Sequence, residues 1–209
     1  MTTSIRSDFD VESSDRAPGF NLPQRVGRLL WAPMLVMAIM AFPLGLALAV
    51  IRAGAIQGDD AQAAAALGHF GPAAMFMGFA AVFAAIAFAI ARILGAFRAG
   101  GGAVQQASGR MVQTLRMLPI AKAFIGLMAM AMMILVGAVV AHIVIGVGIL
   151  EGAPGALESA ETTAIQLEAI RRIGVVVYLV SIALGLAAIA EVLRFQAVRL
   201  RELPTEPTR

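Results

Sequence analysis

Four long apolar runs divided by short polar segments set the pattern of this chain. The third is the longest: after Lys122, 28 residues pass before the next charge at Glu151, with His142 as the one ionisable side chain among them. About 20 such residues cross a bilayer core, so residues 119–150 predict a membrane helix. Residues 29–51, 72–97 and 173–193 read the same way. In the first run Trp31 sits where an indole favours the headgroup level, and Pro43 lies mid-span, where a kink is expected. Ala41, Gly45 and Ala49 recur at four-residue spacing, a smooth face for close helix approach. Gly71-Pro72 opens the second run with proline at the tolerated first position. Phe76, Phe79 and Phe83 then form a stripe suited to packing. Ser181 and Gly185 give the fourth run a small-residue contact of its own.

The polar segments predict less structure. Residues 1–17 are mixed in charge and poor in large apolar side chains, which implies a tail that is disordered or ordered only by a partner. Phe20, Leu22 and Val26 then interleave with Arg25 and Arg28, as in a segment lying at a membrane surface. Ala47-Leu48-Ala49 resembles a leader-cleavage site, but the long, partly acidic stretch before it favours an uncleaved anchor. Asp59-Asp60-Ala61-Gln62 reads as a capping box for a short helix that Gly68 would end. Gly100-Gly101-Gly102 reads as a linker into a surface helix over 104–117. Thr163-Ala164-Ile165-Gln166 reads as a cap, with Glu168 and Arg172 paired one turn apart. The last stretch, 196–209, continues as an amphipathic extension stopped by Pro204 and Pro207.

Composition agrees with the pattern: 60% of the 209 residues are hydrophobic and 14% charged, against about 25% charged in soluble domains. The absence of cysteine removes disulfides, thiolate metal sites and iron–sulfur clusters. The net charge of +3 does not signal nucleic acid, because the cations flank apolar runs. With the N-terminus inside, 13 lysines and arginines lie on the inner side and three, Arg52, Arg171 and Arg172, on the outer. The positive-inside rule therefore orients the chain with both termini cytoplasmic. The expected fold is all-α: an integral membrane four-helix bundle in up-down-up-down order, N-in and C-in. Residues 1–28 would be tail and interfacial segment, and 29–195 the transmembrane domain. The plasma (inner) membrane is the expected location, as a multi-pass protein.

Three ionisable side chains in or at the edge of the apolar runs are candidates for work, since charge is costly there and function is the first hypothesis. Glu191 could relay protons, but Arg194 three residues on, or Arg92 on another helix, offers a plain ion pair. His142 could bond across helices or ligate through a ring nitrogen. His69, at the outer mouth of the second run, could sit in interfacial water. Together, His69 and His142 are the minimum for a bis-histidine haem b, provided they reach one depth. The twelve methionines read as adaptable filler rather than a copper path. No catalytic triad, zinc-protease or nucleotide motif occurs, so no catalytic residue and no metal ligand is assigned.

The sequence thus predicts a non-enzymatic membrane protein without a resident cofactor. Its partners would be the lipid bilayer and other membrane subunits, or further copies of itself. The first alternative is a haem b anchor for quinone-linked electron transfer, with His69 and His142 binding the haem. The second is a channel or transporter formed on oligomerisation.

Overall fold

The computed structural model describes residues 9–205. The chain runs β1 (Val11–Ser14), α1 (Leu22–Gln57), α2 (Ala61–Ala107), β2 (Val112–Leu115), α3 (Pro119–Leu150) and α4 (Ala156–Glu202), then a 3-10 turn over Leu203–Thr205. It is all-α apart from one two-stranded ribbon. Each of the four helices is long and apolar enough to cross a membrane, and each expected span lies within one helix. α2 and α4, at 47 residues, are about 70 Å long at the usual rise per residue.

The helices run through Gly68, expected to end a short helix, through Pro72, expected to open the next, and through the expected kink at Pro43. α2 continues past Gly68 and contains Pro72; α1 contains both Pro33 and Pro43. In an apolar setting intrahelical hydrogen bonds have no competitor in water, so helix persists where a soluble chain would break. Gly100–Gly102 is likewise helical, ending α2 rather than forming a linker. There the glycines serve proximity: a Cβ on Gly101 would meet the Gln196 side chain, and one on Gly102 would lie 2.7 Å from Pro18 Cδ. Of the surface helix expected over 104–117, residues 104–107 are helical as the end of α2, and a turn at Ser108–Gly109 and the strand β2 follow.

That strand explains the polar tail. β1 pairs antiparallel with β2, Val11 opposite Leu115 and Ser14 opposite Val112, and Arg116 N donates to Asp10 O at 3.0 Å. The expected disorder therefore gives way to backbone pairing over Val11–Ser14; residues 1–8 lie outside the described residues. Two caps also differ from expectation. Asp60 Oδ1, not Asp59, accepts from Ala63 N at 2.9 Å, and Gln62 Nε2 reaches away to the carbonyls of Ile149 and Leu150. α4 begins at Ala156, after Gly152 and Gly155 turn the chain with φ of 71° and 72°. Thr163 is thus inside the helix, its hydroxyl bonded back to the carbonyls of Ser159 and Ala160.

Packing divides the chain into two compact units, and every helix contributes to both. One comprises Trp31–Ile86 and Leu127–Val180. Its core includes Ala66, Ile149 and Ala160, and Ala73, Phe76 and Val139. Within it Ala41 and Gly45 are buried as the small-residue pattern requires, although Ala49 is exposed; a Cβ on Gly45 would lie 2.6 Å from Met75 Sδ. The other unit comprises residues up to Leu30, Ala87–Gly126 and the chain from Ser181 on. There Ser181 donates to Phe124 O at 3.0 Å, and a Cβ on Gly27 would lie 2.6 Å from Phe88 O.

Candidate functional site

The first unit brings His69 of α2 and His142 of α3 together, each only 1% exposed. Their Nδ1 atoms are 3.0 Å apart, and His69 Nε2 lies 3.1 Å from Ala160 O of α4. The arrangement fixes the protons. A carbonyl oxygen only accepts, so His69 Nε2 carries hydrogen and donates to Ala160. With the pair neutral, His69 Nδ1 is then a bare acceptor and His142 Nδ1–H donates to it. His142 Nε2 is left as a buried nitrogen without a partner.

The surroundings are aromatic and charged. Phe76 meets His142 edge-on at 5.3 Å between centroids, and the Arg171 guanidinium lies over the Phe76 ring at 4.2 Å. Arg171 and Arg172 both pair with Glu168, and Arg52 lies against Gly68. The three outer-side arginines of the charge pattern, Arg52, Arg171 and Arg172, are thus all in this unit.

The histidines meet, as a shared haem iron requires, but they meet each other. A metal between two imidazoles needs a bond of about 2 Å on each side, hence nitrogens about 4 Å apart with room for the macrocycle. Here the rings are in direct hydrogen-bonding contact and enclosed, and a haem would have to part them. Among the described residues no group of three or more histidine or acidic side chains is placed to hold a metal ion. What the arrangement does chemically is link α2, α3 and α4 through one chain of hydrogen bonds.

Glu191, the third candidate, makes the local pair: its Oε2 is 3.9 Å from Arg194 Nη1, with both side chains substantially exposed. Of the methionines, Met75 packs against Gly45 and Met132 Sδ accepts from the Tyr178 hydroxyl at 3.7 Å.

The second unit holds two features that pattern reading does not expose. The first is a buried polar cluster. Gln105 acts as a side-chain strand partner: its Oε1 accepts from Gln113 N at 2.8 Å and its Nε2 donates to Gln113 O at 3.0 Å. Arg199, 2% exposed, donates to the same Oε1 and pairs with Glu202 at 3.1 Å. One signal was available: Val192, Phe195 and Arg199 share a helix face at three- and four-residue spacing, so the arginine interrupts an apolar stripe.

The second feature is a cleft of about 650 Å³. Ala91, Leu94, Phe124, Ile125, Ala188 and Val192 form its apolar wall. Around them stand Arg98, Arg116 and Lys122, with Asp10 and Glu12 of the ribbon side. Arg116 is held by Asp10 at 3.5 Å. Arg98 is half-buried, and its Nε is enclosed without a hydrogen-bond partner.

The chain matches no family model, no curated protein and no solved structure.

Proposed function

We propose that this chain is a binding component of the plasma (inner) membrane: an accessory or structural subunit of a larger membrane complex, or a homo-oligomer. In this reading the four helices cross in up-down order with both termini cytoplasmic, as the 13-to-3 distribution of basic residues favours.

The observation that carries the reading is the uneven burial of the helices. In α2, 56% of the most apolar stretch is buried within the chain; in α1 the figure is 17%. α1 offers α2 a narrow stripe including Ala38, Ala41 and Gly45. Val36, Ile39, Met40, Leu46 and Val50 are left exposed. A helix covered on so little of its girth by its own chain is suited to receive neighbours, and the open sites Gly126 and Gly137 on α3 suit close helix approach.

Extraction from native membranes in mild detergent tests this. The chain is expected to migrate with partner subunits or as a multiple of its own 21.7 kDa mass. A monodisperse monomer with nothing co-purifying would refute it.

A further inference from the structure

We propose that the cleft bounded by Arg98 and Lys122 is a binding site for an anionic phospholipid, taking its phosphate headgroup and the first part of one acyl chain.

The volume, about 650 Å³, is that of a site for one small molecule rather than a packing defect. Its lining is divided by chemistry. Ala91, Leu94, Phe124, Ile125, Ala188 and Val192 give the wall an aliphatic and aromatic face, with the amides of Asn21, Gln24 and Gln196 beside it. The rim is charged, and its charges do not cancel. Arg116 and Asp10 neutralise each other. Glu12 is the one further carboxylate among the described lining residues, against two further cations, Arg98 and Lys122. Neither cation has an ion-pair partner among the described residues.

Arg98 is the sharper of the two. It lines the cleft half-buried, and a guanidinium fork matches phosphate oxygens. Lys122 stands exposed in the first turn of α3, a mobile point charge for the same anion. Apolar wall and cationic rim in one cleft select a ligand with both parts. A free anion would leave the wall wet, and a neutral alkyl chain would leave Arg98 unmatched. Cations beside apolar spans also draw anionic lipid electrostatically, which raises the local supply.

The test uses the full chain in non-ionic detergent, titrated calorimetrically with short-chain phosphatidylglycerol, phosphatidylcholine of the same chains, and inorganic phosphate. Phosphatidylglycerol is expected to saturate. Phosphatidylcholine, with the same phosphate but a choline cation facing the cationic rim, should bind about tenfold more weakly, and phosphate should not saturate. Arg98→Gln and Lys122→Gln should each reduce the headgroup preference, whereas Arg201→Gln, exposed and outside the cleft lining, should keep it. Equal affinity for the two lipids, or a preference unchanged in both cleft variants, overturns the proposal. Saturable phosphate binding overturns it too, making the site one for a free anion. If a variant fails to fold, the ranking of the three probes on the parent chain still decides.

Discussion

At the scale of single residues, His69 and His142 show how an apolar interior accommodates ionisable groups. Each side chain alone would leave polar nitrogens in a setting without water; together, and with the Ala160 carbonyl, they satisfy all but one. The arrangement predicts coupling. His69→Leu leaves His142 Nδ1 buried and unpaired, and His142→Leu does the converse to His69, each costing about 1–3 kcal/mol. The double substitution should cost less than the two singles together, by about 0.6–1.7 kcal/mol, the range of interhelical hydrogen bonds in membranes. Thermal unfolding in detergent measures the cycle, and strictly additive losses would mean the bond contributes nothing. The same samples carry a second reading, because a Soret band abolished by either change would place an iron where the hydrogen bond stands. That these two residues are ionisable groups within or beside apolar runs was legible in the sequence. That they touch was not, since it depends on the relative heights of α2 and α3. Their third partner is a backbone carbonyl, which leaves no mark in a sequence.

At the scale of elements, the apolar helices were the most legible part and their ends the least. Composition alone places the four long runs; Gly68 reads as a helix end, Pro72 as a helix start and Gly100–Gly102 as a linker by soluble-chain rules, yet α2 runs through all three. Those rules assume that water competes for the backbone and that glycine means freedom. Gly101 and Gly102 instead admit Gln196 and Pro18, offsetting the roughly 1 kcal/mol that glycine costs inside a helix. The ribbon was illegible for a different reason. Val-Glu-Ser-Ser and Val-Gln-Thr-Leu are too short to show strand periodicity, and they stand about 100 residues apart in sequence. Gln105 holds β2 by mimicking a neighbouring strand, so Gln105→Ala should strip Gln113 of two hydrogen bonds and Arg199 of an acceptor. The expected result is a destabilisation of about 1–3 kcal/mol with faster hydrogen exchange at the Gln113 amide. Exchange as slow as in the parent would show that β1 alone holds the strand.

At the scale of the whole molecule, orientation rests on charge rather than on packing. The basic residues assigned to the inner side include Arg98, Arg110, Arg116 and Lys122, carried between the second and third apolar runs without an acidic residue among them. Those assigned outside, Arg52, Arg171 and Arg172, are few, and two of them pair with Glu168, which lowers the effective positive charge there further. Positive-inside bias acts through such short segments, so the turns joining the helices are the places to read it. The chain has no cysteine, and single cysteines can therefore be introduced without background. Gly58, in the turn between α1 and α2, and Ser159, in the first turns of α4, are exposed and belong to the segments assigned outside. Ser108, exposed in the turn after α2, belongs to the inner side. In intact cells an impermeant thiol reagent should label Gly58→Cys and Ser159→Cys, and label Ser108→Cys only after the membrane is opened. Labelling of Ser108→Cys alone would invert the chain. Labelling of Gly58→Cys together with Ser108→Cys would mean that α2 does not cross, because an odd number of crossings between two sites puts them on opposite sides.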